Sequence, residues 1–160
     1  LYHCAHLELQ RVFGITEALS PATAQSIWDK TEEMLKDDAF SAQNLIRRFN
    51  VKVICTTDDP IDDLAHHKAL ATKTDLGFRV LPTFRPDRAL RITRADFAPY
   101  IAQLSQVSNL PITNTEQVIQ ALINRMDYFH ANGARVSDHG LDILPFAGPD
   151  MKLAAGMYGH

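Results

Sequence analysis

The chain has 160 residues, of which 46% are hydrophobic and 22% are charged, a composition typical of a folded, water-soluble protein. Its 16 basic and 19 acidic residues give a net charge of −3, which supplies no positive field for a phosphate backbone and argues against nucleic acid as a partner. No apolar run approaches the roughly 20 residues that span a bilayer, so a membrane partner is also excluded.

The first 50 residues are predicted to contain two helices. Ser20 and Pro21 favour a helix start, because the serine side chain can cap free amides and the proline ring presets the backbone angle φ. Apolar residues then recur at three- and four-residue steps over about 16 residues, which indicates an amphipathic helix. Ser41 is the predicted N-cap of a second helix, and Asn50 ends that helix.

A strand, a helix and a second strand are predicted next. Residues 51–57 are rich in β-branched side chains, which favours a strand. Asp59 and Pro60 then favour the start of a helix. Residues 78–84 are the second strand candidate, and Pro82 should make its end irregular because proline has no amide hydrogen to donate.

Two more helices and a third strand complete the pattern. Thr93 and Thr113 each precede an acidic residue by three positions, an arrangement that caps helix N-termini. Gly133 is a natural stop for the second of these helices. Residues 134–137 are predicted to form a short third strand.

Strands that alternate with helices predict an α/β fold with parallel strands, because the connecting helices cross over with one hand. The predicted strand ends near Thr57, Thr83 and Ser137 are 26 and 54 residues apart, against about 30 residues for one unit of a (β/α)8 barrel. The chain is therefore either a small doubly wound domain or a segment of a larger barrel. Three open strands leave unpaired edges, so we expect a homo-oligomer paired through these edges, a swapped dimer, or partial disorder near the third strand.

Polar side chains follow each predicted strand. Asp58 and Asp59 follow the first strand, Arg85 follows the second, and Asp138 and His139 follow the third. Because the carboxyl ends of parallel strands share one rim, where ligands bind, we expect these five side chains to meet at a common mouth. Carboxylates, one guanidinium and an imidazole suit a small, anionic, hydroxylated ligand.

Three of these positions also have structural interpretations. Asp59 precedes Pro60 and is expected to be a helix N-cap. Asp58 could bind the ligand or support a group that does, or it could have a structural role alone. Arg85 either forms a salt bridge with Asp87 or Asp58, or recognises a substrate carboxylate through two parallel hydrogen bonds. The sequence favours neither interpretation of Arg85.

The histidines carry weaker signals. Asp138 and His139 could bind a metal or transfer a proton, but neighbouring strand residues point to opposite faces. Only one of the two faces the mouth unless the strand has already ended. His66 and His67 are expected on the solvated surface of the helix that follows the first strand.

Two cysteines, Cys4 and Cys55, cannot form a disulfide framework, which indicates a reducing compartment and a cytoplasmic protein. Cys55 lies inside a predicted strand and is expected to be a small core residue. The chain begins at Leu1 with neither an initiator methionine nor a signal-peptide core, so we expect it to be the internal part of a longer chain.

Four segments carry a resemblance to a known family. They are residues 6–15 (HLELQRVFGI), 56–60 (TTDDP), 80–87 (VLPTFRPD) and 136–142 (VSDHGLD). In this order they closely resemble bacterial uronate (glucuronate) isomerase, a member of the amidohydrolase superfamily. The resemblance implies a (β/α)8 barrel and an aldose–ketose isomerisation in hexuronate catabolism. D-glucuronate is converted to D-fructuronate, and D-galacturonate to D-tagaturonate.

The resemblance also implies that the chain is an internal fragment, about the second third of the family's chain. Residues 1–50 would be a helical insertion, residues 51–148 a partial barrel with three parallel strands, and residues 149–160 a tail of uncertain role. The family's metal-binding His-x-His motif and its catalytic aspartate would lie outside the chain. No metal ligand is therefore assigned here, although the full-length protein could hold a divalent metal such as zinc.

One substrate contact can be assigned from the resemblance. Arg85, in the Arg-Pro-Asp motif, is implied to hold the carboxylate of the hexuronate. We expect the fragment itself to be inactive. Two other functions stay open: a metal-dependent hydrolase of the amidohydrolase type that uses Asp58, Asp138 and His139, and a non-catalytic module that binds sugar acids.

Overall fold

A computed structural model describes residues 2–140 and shows an α/β architecture with helices and a small parallel sheet. The elements in chain order are α1 (Tyr2–Phe13), α2 (Ala24–Met34), a 3₁₀-helix (Asp38–Phe40), α3 (Ala42–Arg48), β1 (Val53–Cys55), α4 (Ala65–Ala71), β2 (Arg79–Leu81), α5 (Asp87–Leu90), α6 (Phe97–Ser108) and α7 (Thr115–Ala131). Among these helices none is long and apolar enough to cross a membrane. The predicted tail, 149–160, and the end of the predicted barrel segment lie outside the described residues.

The first of two structural units comprises the described residues up to Lys52 and Leu76–Phe78. Its helix α2 begins at Ala24, three residues later than the sequence predicts. The intervening residues form a turn in which the Thr23 hydroxyl accepts the Ser20 amide at 2.9 Å. The predicted start is wrong because the side chains closest to it stabilise this turn and not the helix.

Of helices α3 and α1 in the same unit, the sequence predicts the first and not the second. Ser41 caps α3 as predicted, since its Oγ accepts the Asn44 amide at 3.4 Å. No capping pattern predicts α1. Its last residue, Phe13, stacks on Phe40 with ring centroids 5.6 Å apart, a contact between segments that a local pattern does not reveal.

The second unit, Val53–Asp75 and the described residues from Arg79 onward, contains the sheet. The strands β1 and β2 are parallel, with Val53 opposite Arg79 and Cys55 opposite Leu81, so the predicted parallel pairing is confirmed. Each strand has three residues and is shorter than predicted. Cys55 is exposed, so its prediction as a core residue is wrong, because β1 is an edge strand with one face open.

The predicted third strand, residues 134–137, is reduced to a single contact. Ser137 forms an isolated parallel bridge with Phe84, whose amide donates to the carbonyl of Val136 at 3.2 Å. The segment therefore runs in the predicted direction beside the predicted neighbour. Within residues 2–140, however, the regular sheet has two strands and not three.

The helix predicted to begin after Asp59 begins later, at Ala65. Asp59, Asp62 and Asp63 each accept the amide two residues further on, at 3.1, 2.6 and 2.9 Å. Local bonds of this kind compete with helical hydrogen bonds. Leu64, which precedes α4, has a φ of 55° and interrupts the helical backbone. Asp59 therefore caps a turn, and its prediction as a helix N-cap is wrong.

Helix α7 contributes Phe129 to the core beneath the strand ends. Phe129 is fully buried and packs edge-on against Phe84, with ring centroids 5.2 Å apart. Leu64 and Ala134 complete this cluster. The buried Arg125 donates to the carbonyl of Pro60 at 2.6 Å, which ties α7 to the loop that follows β1.

The ends of α7 lie close to their predicted positions. The N-cap is Asn114, whose side chain accepts the Gln117 amide at 3.0 Å, one residue after the predicted cap Thr113. Gly133, with a φ of 100°, ends the helix as predicted. The short helix α5 is not predicted, since its four residues contain no full apolar period.

Candidate functional site

The segments that follow β1 and β2 meet the segment around Ser137 at one place. Asp58 forms a parallel bridge with Phe84, and Phe84 forms one with Ser137. The Arg85 amide donates to the carbonyl of Asp58 at 3.0 Å, and the Asp138 amide donates to the carbonyl of Phe84 at 3.3 Å. Polar side chains from three distant parts of the sequence are thereby brought together.

Arg85 and Asp138 form a two-pronged ion pair at this place. The Arg85 Nε donates to Oδ1 of Asp138 at 2.9 Å, and Nη2 pairs with the other carboxylate oxygen. This hydrogen-bonded contact raises the pKa of Arg85 and lowers the pKa of Asp138. The partner of Arg85 is thus neither Asp87 nor Asp58, the two partners that the sequence suggests.

Asp87 makes a second set of contacts beside this ion pair. Its carboxylate accepts the Gly140 amide at 2.6 Å and lies 2.8 Å from Nδ1 of His139. Burial raises the pKa of Asp87, but the amide hydrogen bond and His139 outweigh burial, so the pKa lies below its usual value. A Cβ atom at Gly140 would lie 3.2 Å from the Asp87 carboxylate, so this close approach favours glycine.

Both residues of the Asp138–His139 pair contact the site. Asp138 binds Arg85, and His139 binds Asp87. The alternation of strand side chains does not apply to them, because regular strand pairing has ended at Ser137. Sequence reasoning assigned Asp87 only as a partner of Arg85. The only sequence signal for Asp87 was its place in the Arg-Pro-Asp motif. Its partners, His139 and Gly140, lie more than 50 residues away in the sequence.

The lowered pKa of Asp87 predicts that an Asp87→Asn variant differs from the wild type in its response to acid. Because the folded-state pKa lies below the unfolded value of about 3.8, the stabilisation by this carboxylate is present well above that value and is lost as the pH falls through the folded-state pKa. Urea unfolding at pH 5 and at pH 3 should show a variant less stable than the wild type at pH 5, with a smaller difference at pH 3. Asp127→Asn, exposed on α7, is the control, and a difference that grows in acid would contradict the assignment.

Asp58 is held by several hydrogen bonds from the protein itself. Its Oδ2 accepts the Thr83 amide at 3.1 Å and the Thr56 hydroxyl at 2.6 Å. Its Oδ1 lies 3.7 Å from Nε2 of His67, and both side chains are only 10% exposed. The prediction that His67 lies on the solvated surface is therefore wrong, whereas His66 is exposed.

Asp59 lies at the other side of the mouth. Burial raises the pKa of its carboxyl and also raises the pKa of the buried Tyr100 hydroxyl close to it. Arg88 lies 4.0 Å from the Asp59 carboxylate and places its guanidinium 4.4 Å from the centre of the Tyr100 ring. Arg88 therefore partly offsets the negative charge at this edge.

An open cleft of about 430 Å³ lies over these side chains. Its lining includes three guanidinium groups, from Arg85, Arg88 and Arg91, together with the carboxylates of Asp58, Asp59 and Asp87. Sequence reasoning missed Arg88 and Arg91, although the three arginines recur at three-residue steps. The cleft matches the predicted chemistry of a small, charged, hydroxylated ligand.

Within residues 2–140 no group of three His, Cys, Asp or Glu side chains is placed to hold a metal ion. Asp58 is bound by neighbouring hydroxyl and amide groups. Asp138 pairs with Arg85. His139 pairs with Asp87. These side chains therefore have partners within the protein, and the family's metal-binding residues are expected outside the chain.

Comparisons with known proteins agree on one family. A family model described as glucuronate isomerase matches residues 1–159. The uronate isomerase of Pectobacterium atrosepticum is 48% identical over 151 residues, which is 94% of this chain and 32% of that protein. The uronate isomerase of Caldanaerobacter subterraneus is 46% identical over 144 residues, 90% of this chain and 31% of that protein. The chain thus spans about a third of the length of these curated relatives.

Two solved structures are also similar. The crystal structure of a uronate isomerase from Thermotoga maritima superposes with a TM-score of 0.83 at 30% identity, covering 99% of this chain and 34% of that one. A glucuronate isomerase from Caulobacter crescentus gives a TM-score of 0.81 at 26% identity, covering 99% and 33%. The similarity extends over nearly the whole of this chain and about a third of each structure.

Proposed function

Because this chain belongs to the glucuronate isomerase family, we propose that it forms part of an enzyme that isomerises hexuronates. The reaction is the aldose–ketose conversion of D-glucuronate to D-fructuronate and of D-galacturonate to D-tagaturonate. Since the chain spans about a third of its curated relatives, the proposal concerns the share of the site that these residues supply. That share is the recognition of the substrate's carboxylate.

The observation that carries this proposal is the ion pair of Arg85. A guanidinium binds a carboxylate best through two parallel hydrogen bonds, and Arg85 already holds the Asp138 carboxylate in this way. The carboxylate of Asp138 therefore occupies the place that the hexuronate carboxylate would take. Arg85 lines the cleft and its side chain is 32% exposed, so a ligand in the cleft can reach it.

The isomerisation needs a contact such as that of Arg85 with the carboxylate, because the hexuronate must be held in one orientation. Aldose–ketose isomerisation moves a hydrogen between C2 and C1, so a base and a group that stabilises the carbonyl charge must face these two carbons. The carboxylate lies at the opposite end of the six-carbon chain. Holding it at Arg85 fixes where C1 and C2 lie. We propose that the proton-transfer base is supplied from outside the described residues.

The domain organisation follows from the same family assignment. We propose that residues 1–50 are a helical insertion and that residues 51–148 belong to a (β/α)8 barrel. The division into two units between Lys52 and Val53 and the parallel pairing of β1 with β2 support this organisation. The further strands of a barrel would cover the open face of β1.

The partners and the location are also proposals. A hexuronate is the proposed small-molecule ligand. Within the described residues β1 is paired with β2 alone, which supports pairing of its other edge with another strand. In the isolated chain this strand would come from a second copy. Free Cys4 and Cys55 support a reducing, cytoplasmic location.

Calorimetry with the 160-residue chain tests the carboxylate-binding role. We expect D-glucuronate to bind with a measurable heat, while D-glucose, which lacks the carboxylate, does not. The same chain is expected to form no D-fructuronate above a protein-free control. Equal binding of the two sugars, or none of D-glucuronate, would contradict the proposed role of Arg85, and D-fructuronate formation would contradict the proposed external base.

A further inference from the structure

Three polar side chains form a buried chain of hydrogen bonds directly beneath the mouth. Nε2 of His67 lies 2.7 Å from Oγ1 of Thr56. The same Thr56 oxygen lies 2.6 Å from Oδ2 of Asp58. His67 and Asp58 are each only 10% exposed, so these contacts are largely shielded from solvent.

The direction of the hydrogen bonds follows from counting hydrogens. The Thr56 hydroxyl has one hydrogen and two polar side-chain neighbours, at 2.6 and 2.7 Å, while the Leu81 carbonyl is further away at 3.3 Å. An ionised Asp58 carboxylate can only accept, so the hydroxyl hydrogen points to Asp58 at 2.6 Å. Thr56 must then accept from His67, which requires a hydrogen on Nε2 of the imidazole. The opposite tautomer would leave two acceptors facing each other across one of these short contacts.

Asp58 connects this chain of hydrogen bonds to the backbone segment that contains Arg85. Its carboxylate accepts the amide of Thr83 at 3.1 Å, and its own carbonyl accepts the amide of Arg85 at 3.0 Å. These two hydrogen bonds hold the segment after β2 at Thr83 and at Arg85, the residues on either side of Phe84. The backbone position of Arg85 therefore depends on how firmly Asp58 is held.

We propose that His67 is a positioning residue of the hexuronate site, which acts through Thr56 and Asp58 to fix the backbone that presents Arg85. Its part in substrate binding rests on the proposed function, whereas its hold on Arg85 does not. The required property is a hydrogen-bond donor at Nε2. A glutamine amide can supply such a donor, and a leucine of similar bulk cannot.

The tautomer of His67 can be measured in the unmodified chain. Long-range ¹H–¹⁵N correlation spectra of ¹⁵N-labelled protein distinguish a hydrogen on Nε2 from one on Nδ1. We expect His67 to carry the hydrogen on Nε2 at neutral pH. A neutral imidazole with its hydrogen on Nδ1 alone would overturn the proposal without the need for any variant.

Variants at position 67 then test the hold on Arg85. In His67→Leu the Nε–H signal of Arg85 should broaden or exchange faster with water, because the clamp at Asp58 is looser. His67→Gln should restore the wild-type signal, and His66→Leu, an exposed neighbour on the same helix, should leave it unchanged. If His67→Leu gave the wild-type signal, or if glutamine failed to restore it, the proposal would be wrong.

Binding of D-glucuronate separates this proposal from the proposed function. His67→Leu should weaken binding by roughly 3- to 10-fold, the effect of one hydrogen bond, while His67→Gln and His66→Leu stay within about twofold of the wild type. If His67 carries the predicted hydrogen and controls Arg85 but no D-glucuronate binds, the proposed function fails and the positioning role stands. If D-glucuronate binds equally to wild type and His67→Leu, the positioning role fails and the proposed function stands.

Discussion

Replacing Arg85 with alanine is expected to weaken D-glucuronate binding by about 10- to 100-fold. The guanidinium offers two parallel donors to a carboxylate, as its ion pair with Asp138 shows, and Arg85 is among the residues that line the cleft. Arg85→Lys should recover only part of the affinity, because an ammonium group cannot form the two-pronged contact. Isothermal titration calorimetry of the wild type and the two variants measures the effect.

Two controls make the Arg85 experiment specific. Arg135→Ala removes an exposed positive charge outside the cleft and should leave binding within about twofold of the wild type. Asp138→Asn should instead tighten binding by about 2- to 5-fold, since it removes the carboxylate that competes for Arg85. An unchanged affinity in Arg85→Ala would show that Arg85 does not bind the ligand, and weaker binding in Asp138→Asn would show that Asp138 does not compete for Arg85.

Phe129→Ala is expected to lower the free energy of unfolding by about 3–5 kcal/mol. Phe129 is fully buried and packs edge-on against Phe84, the residue directly before Arg85. Truncation leaves a cavity beneath the strand ends as well as lost apolar burial. A loss of this size is a large part of the stability of an ordinary domain, so urea unfolding followed by circular dichroism should detect it clearly.

Ile123→Ala is the matched control for Phe129→Ala. Ile123 lies on the same helix, α7, but its side chain is exposed, so the expected change in unfolding free energy is within about 0.5 kcal/mol. Equal losses in the two variants would mean that the cluster around Phe129 is not the core of this unit.

The parallel pairing of β1 with β2 could be predicted because each strand has a clear pattern in the local sequence. The β-branched run at residues 51–57 and the second run at 78–84 both contain a strand, and each strand is followed by the expected polar residues. The third run, 134–137, lacks a regular ladder in the described residues. Helix starts were less accurate near Asp59, since side chains there form turns that compete with the helix.

The site was harder to derive from sequence than the sheet. Arg85 stood out because a charged residue follows a strand directly. The contacts of Asp87 with His139 and Gly140 join residues more than 50 positions apart, and no periodic pattern reports such pairs. His67 looked like a surface residue because its partner Thr56, directly after β1, is 11 positions away in the sequence.

A crystal structure of the chain with D-glucuronate tests the central claim most directly. The account predicts the sugar carboxylate within hydrogen-bonding distance of both Nε and Nη2 of Arg85, with the Asp138 carboxylate displaced. A bound sugar acid held elsewhere, while Arg85 and Asp138 keep their present contact, would contradict it.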